Sequence, residues 1–176
     1  MCGIAGIAYK PDATPVAQDT LNAMAAALHH RGPDGTHFAR MPRIDLIHTR
    51  LSIIDLKGGD QPLTTGTGTL VANGEIYNDL HIRQAFGKDR FKTGSDCESP
   101  LVMWEQTGAD YTACLRGMYA IALYDSSRDL LLLSRDPFGI KPLYITEGEF
   151  GVAFASEPEV LLQAGFVARA ERTDAL

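Results

Sequence analysis

The chain opens Met1-Cys2-Gly3-Ile4-Ala5-Gly6-Ile7. Loss of the initiator methionine, which a small second residue favours, would leave a thiol and a free α-amine on one residue. A thiolate attacks acyl carbons, and a neutral amine beside it can take the thiol proton. Ordinary values of roughly 8.5 for a cysteine and about 7.7–8.0 for an α-amine make that transfer nearly balanced close to neutral pH. Gly3 allows other backbone to approach closely. The plainer reading makes Cys2 a small buried hydrophobe at the start of a strand. The apolar segment Gly3 to Tyr9 is short enough to be a buried strand.

Outward from that segment, 176 residues with 45% hydrophobic content suit one globular domain with a real core. The net charge is −6 and no basic run occurs, so nucleic acid is not an expected partner. Cys2, Cys97 and Cys114 are odd in number and far apart. They suggest neither a disulfide framework nor a zinc knuckle, and a reducing compartment is expected. The five histidines (His29, His30, His37, His48, His81) lack metal-ligand spacing. No apolar run reaches the ~20 residues of a membrane span, and no secretory signal precedes Cys2. A soluble cytoplasmic protein is the expectation.

The local patterns mix strands and helices. Thr14-Pro15 reads as a helix cap with proline at the first helical position, and Leu21, Met24, Ala25 and Leu28 form one apolar stripe up to Gly32. Segments 44–54 and 69–72 read as strands, and Asn78 to Phe86 as a helix stopped at Gly87. A further helix ends near Gly108. Ser95 and Glu98 have capping-box spacing, but Pro100 argues that its regular part begins near Ser99. Residues 119–124 and 130–133 read as one hairpin, 143–146 and 152–155 as a second, and Glu157 to Gln163 as a short helix. The pattern predicts an α+β fold of packed sheets with helices outside.

An amide-cleaving cysteine also needs oxyanion donors and groups that hold substrate. Asn73-Gly74-Glu75 could supply a side-chain and a main-chain N–H, although taken alone it reads better as an Asn-Gly turn. Arg50 could fork onto a carboxylate or be a surface strand charge. Asp96, in Thr93-Gly94-Ser95-Asp96, could hold an ammonium with Glu75, or could cap a helix. Arg31-Gly-Pro-Asp-Gly35 and Arg135-Asp-Pro-Phe-Gly-Ile-Lys-Pro-Leu-Tyr144 read as rigid scaffold turns.

Taken in order, these segments resemble the glutaminase domain of class II glutamine amidotransferases, specifically of the glutamine-hydrolysing asparagine synthetases. The likeness is carried by Cys2-Gly-Ile-Ala-Gly, Arg31-Gly-Pro-Asp-Gly35, Arg50-Leu-Ser-Ile-Ile-Asp55, Asn73-Gly-Glu-Ile-Tyr-Asn78, Thr93-Gly-Ser-Asp96 and the Arg135–Tyr144 run, and spans almost the whole chain. Glucosamine-phosphate synthases and phosphoribosyl-pyrophosphate amidotransferases share the cysteine and the Asn-Gly. The resemblance implies a four-layer αββα N-terminal-nucleophile hydrolase fold with two mostly antiparallel sheets. It implies Cys2 as nucleophile with its own α-amine as base, and Asn73 and Gly74 as oxyanion donors. It implies Arg50 on the α-carboxylate of L-glutamine, with main-chain groups from Leu51, Ser52, Ile53 and Ile54 lining the pocket. Glu75 and Asp96 would take the α-ammonium, and Arg31 would prop the cysteine loop.

The implied reaction is hydrolysis of the glutamine side-chain amide, with ammonia passed to an ATP-dependent synthetase domain or chain. That domain's phosphate-binding Ser-Gly-Gly-Xaa-Asp-Ser run does not occur here, and the chain ends at Glu171-Arg-Thr-Asp-Ala-Leu176, before the usual linker. ATP and magnesium are therefore expected only in a missing synthetase domain, with no cofactor or metal in residues 1–176. No membrane partner is expected, and an oligomer is compatible with the sequence. A non-catalytic docking module and an amidase for another acyl amide are the rival readings.

Overall fold

The apolar segment behind Cys2 becomes the middle strand of a sheet. In the computed structural model, which describes residues 1–169, β1 (Gly3–Tyr9) lies between β3 (Ile44–Arg50) and β9 (Gly151–Ala155). Strands β2 (Gly35–Met41) and β8 (Tyr144–Gly148) form the two edges, giving the order β2-β3-β1-β9-β8. A second sheet has the order β4 (Leu63–Thr65), β5 (Gly68–Ile76), β6 (Gly117–Asp125) and β7 (Leu130–Arg135). The pairings between these strands are antiparallel.

Period-two alternation assigns the layers. Ala5, Ile7 and Tyr9 of β1 face α1 (Gln18–Leu28) and α4 (Pro158–Gln163), and Leu21, Met24, Leu28, Val160 and Leu161 pack on them. Ile4 faces the other way, into a core between the sheets shared with Ile44, Leu46, Val71, Ala120 and Phe154. The outer face of the second sheet, through Leu70, Ala72, Ile76 and Ile121, is covered by α2 (Asp79–Phe86) and α3 (Ser99–Thr107). The layers run helix, sheet, sheet, helix, as the resemblance implies.

Several local expectations shift. The helix foreseen at Thr14-Pro15 starts at Gln18, with Ala17 as its cap. Residues before it are drawn onto the sheet instead, where Val16 N–H donates to the buried Tyr9 hydroxyl (3.3 Å). The strand expected over 44–54 stops at Arg50, because Leu51 N–H turns to the Cys2 sulfur and leaves the ladder. Ser95 and Glu98 do not form a capping box. The Glu98 carboxylate instead accepts from the Lys92 and Thr93 amides (both 2.8 Å), and the regular helix begins at Ser99 after a 3₁₀ turn over Asp96–Glu98. Strands β2 and β4 were not read from the pattern. The C-terminal run Glu171–Leu176 lies outside the described residues.

Candidate active site

Asn73-Gly74 is not a turn. It lies inside β5, paired with Ala120 and Tyr119 of β6. The register decides which backbone groups are free. Tyr119 directs its N–H to the Asp136 carboxylate (3.2 Å) and its carbonyl to Asp136 N–H (2.9 Å), away from β5. Opposed residues of an antiparallel pair point their polar groups the same way, inward or outward together. Gly74 therefore aims its N–H and carbonyl at the outer edge of β5. On that edge Ala72 N–H is taken by Gln61 Oε1 (2.6 Å) and Ile76 N–H by Asp96 Oδ2 (2.6 Å). Gly74 N–H, between them, has no protein partner among the described residues.

The same parity that sends Ile4, Leu46 and Val71 between the sheets places Cys2, His48, Arg50 and Asn73 at one end of that space. They line a cavity of about 550 Å³ together with Gly74, Glu75 and Asp96. The Cys2 sulfur accepts from Leu51 N–H (3.4 Å) and approaches the Leu51 carbonyl (3.6 Å). Arg31 donates from Nε to the Cys2 carbonyl (3.1 Å) and from Nη1 to Glu157 Oε1 (2.8 Å). The Asn73 amide is satisfied in one orientation: Nδ2 donates to the Cys2 carbonyl (3.2 Å) and Oδ1 accepts from Arg31 Nη2 (3.2 Å). A second Nδ2 hydrogen remains uncommitted. Burial pushes the Glu157 carboxyl up, but Arg31 and His30 outweigh it and hold it below the usual carboxylate range.

Arg50 is buried, with Nη2 donating to the Asp55 carbonyl (2.6 Å) and Nη1 to Asp60 Oδ1 (2.5 Å). Asp96 is also buried. Burial raises its carboxyl above the ordinary value despite the Ile76 N–H, and the nearby Asp79 and Glu75 charges push the same way. Glu75 is exposed on the rim. Neither acid has a basic partner among the described residues. Leu51, Ile53 and Ile54 line the cavity. Ser52 does not, since its N–H is held outside by Asp34 Oδ2 (2.7 Å).

Other residues, given no role there from the sequence alone, reach the site. Asp55 ties the Arg50 loop to the Asp96 loop, accepting from Gly58 N–H (2.9 Å) and Gly94 N–H (2.7 Å). Those two amides hold its carboxyl below the ordinary range. His48 is buried with both ring nitrogens unpartnered; burial first, then the His37 and Arg50 charges, lower its pKa to about 3. Lys141 is buried with Nζ on the Met1 sulfur (3.3 Å). Its segment is the expected scaffold turn: the Asp136 carboxylate accepts from Phe138, Ile140 and Lys141 amides. Asp55 and Lys141 lie in the family-like segments, and His48 was discoverable two residues from Arg50 on the same strand face.

A family model described as a glutamine amidotransferase domain matches residues 1–176. The chain belongs to the glutamine amidotransferase domain family. This amidotransferase domain is 40% identical over 167 residues to the glutamine-hydrolyzing asparagine synthetase B of Escherichia coli, covering 92% of the chain and 30% of that protein. It is 39% identical over 163 residues to the glutamine-hydrolyzing asparagine synthetase 2 of Bacillus subtilis, covering 89% of the chain and 22% of that protein. The chain thus spans less than a third of these relatives. The solved glutamine phosphoribosylpyrophosphate amidotransferase of B. subtilis shares its fold, with a TM-score of 0.75 at 19% identity over 93% of this chain and 44% of that one. No helix among the described residues is long and apolar enough to cross a membrane.

Proposed function

We propose that this domain hydrolyses the side-chain amide of L-glutamine to glutamate and ammonia. The observation that carries the reading is the shared cavity. The Cys2 sulfur, one free strand-edge amide, one buried arginine and two acids without basic partners surround a space of about 550 Å³. After Met1 is removed, the Cys2 amine takes the thiol proton and the thiolate attacks the amide carbon. The developing oxyanion is held by Gly74 N–H and the uncommitted Asn73 Nδ2 hydrogen. The amine returns its proton to the departing nitrogen, ammonia leaves, and a Cys2 γ-glutamyl thioester remains. Water adds to that thioester, giving glutamate and restoring the thiol.

The roles of the remaining residues follow from charge. Arg50 takes the α-carboxylate and Asp96 with Glu75 the α-ammonium, which selects an amino acid over an apolar acyl amide. Arg31 positions Cys2 and Asn73 without touching substrate. The main chain of Leu51, Ile53 and Ile54 walls the pocket. Every step uses this chain's own residues; the ammonia would pass to a synthetase domain or chain, the kind of partner that the relatives' names suggest, and any ATP and magnesium chemistry would lie there.

Intact mass spectrometry after treatment with a glutamine-like diazoketone tests the reading. Loss of Met1 and one adduct on Cys2 are expected, with ammonia released from glutamine far faster than from simple amides. A Cys2→Ala variant that still hydrolysed glutamine would refute it. A folded, unreactive protein would favour the non-catalytic docking module.

A further inference from the structure

Arg50 already carries a carboxylate. Its Nη2 is committed to loop backbone, at the Asp55 carbonyl (2.6 Å) and the Ile54 carbonyl (3.5 Å). Its Nη1 donates to Asp60 Oδ1. An arriving α-carboxylate would meet both an occupied donor and a like charge. The two partners are unequal: the Arg50 side chain is 7% exposed and the Asp60 side chain 55%. The arginine is therefore the fixed member and the aspartate the removable one.

We propose that Asp60 is an internal stand-in for the substrate's α-carboxylate, holding Arg50 in the empty site and leaving when glutamine binds; this rests on the Arg50 reading above. Three features make the exchange feasible. Asp60 faces solvent, so its displaced carboxylate is rehydrated at little cost. His37 Nε2, 3.6 Å from Asp60 Oδ1, flanks it on the outer side. The loop itself is pinned independently, by Asp55 on Gly58 and Gly94 and by Gly59 N–H on the Asp55 carbonyl (3.0 Å). Asp60 can swing out without unfolding the loop. Until it does, it neutralises the buried arginine that would hold the substrate's anionic end, and so weakens glutamine binding.

The size of the effect is bounded by the pair that must be broken. Half-exposed ion pairs contribute little, which corresponds to no more than about fivefold in affinity. The experiment compares wild type, Asp60→Asn and Asp60→Ala in steady-state ammonia release, with Arg50→Lys alongside and thermal melts as the control for folding. Both Asp60 variants should lower KM for glutamine two- to fivefold, with the change confined to KM. The gain should vanish for glutamine amidated at its α-carboxylate. Unchanged or raised KM in folded Asp60 variants, with KM raised in Arg50→Lys, would overturn the stand-in and leave Arg50 as the carboxylate site. Unchanged KM in Arg50→Lys would overturn the Arg50 reading itself.

Discussion

Gly74→Ala isolates the strand-edge amide. The new Cβ would stand 2.7 Å from the Met118 carbonyl oxygen, 2.9 Å from Tyr119 Cβ and 3.0 Å from Tyr119 Cα. Two of these neighbours are β6 main-chain atoms, which cannot rotate aside, so β5 must move outward by several tenths of an ångström. Oxyanion donors act over about 2.7–3.1 Å, and removing one costs about 3–4 kcal/mol, or 10²–10³ in kcat. Overpacking should also cost about 1–3 kcal/mol of folding stability. The expected result is a folded protein with a lower melting temperature, kcat reduced at least 100-fold and KM within about threefold. Steady-state ammonia release, circular-dichroism melts and diazoketone labelling of Cys2 read the three quantities separately. A variant that is destabilised as expected but keeps near-wild-type kcat would show that Gly74 N–H is not an oxyanion donor.

Removing the burial penalty at Asp96 should separate stability from binding. Its folded pKa is raised, so its contribution to stability is full at acid pH and lost as pH rises through the folded value; Asp96→Asn should melt higher at neutral pH while KM for glutamine rises at least tenfold, and a variant with wild-type KM would remove Asp96 from the ammonium site. His48 works in the opposite sense. It is neutral in the fold down to about pH 3 but protonates in the unfolded chain near 6.5, so between those values each unit by which pH is lowered removes about 1.4 kcal/mol of stability. Urea titrations at pH 4.5 and 7 should show a smaller loss for His48→Phe than for wild type, and parallel losses would contradict the burial argument. Gly32→Ala would bring a Cβ within 2.3 Å of the Thr49 carbonyl oxygen. It should destabilise by about 1–3 kcal/mol and shift Arg31 off the Cys2 carbonyl; a urea midpoint matching wild type would show that the turn yields instead.

Local pattern carried most of the element list. Apolar runs around Ile4, Ile121 and Phe154, and stripes such as Leu21, Met24, Ala25 and Leu28, are decided by burial of one face, which leaves a period in the sequence. Likewise Gly87, with φ of +92°, ends α2 where the sequence placed the stop. The misreadings fall where neighbours distant in sequence override local preference. Asn73-Gly74 has hairpin-turn chemistry, yet β6 captures it as strand; Thr14-Pro15 has helix-start chemistry, yet Tyr9 draws the following residues onto the sheet.

The residue types at the site, a thiol at position 2 with an arginine, an asparagine and acids in family-like segments, were legible from the sequence alone, because chemistry is written in side chains. Their convergence was not. That Gly74 N–H is free depends on Tyr119 turning to Asp136, and that Arg50 is already paired depends on where the loop returns Asp60. Such facts come from strand register and loop closure, which join residues through space and leave no period along the chain.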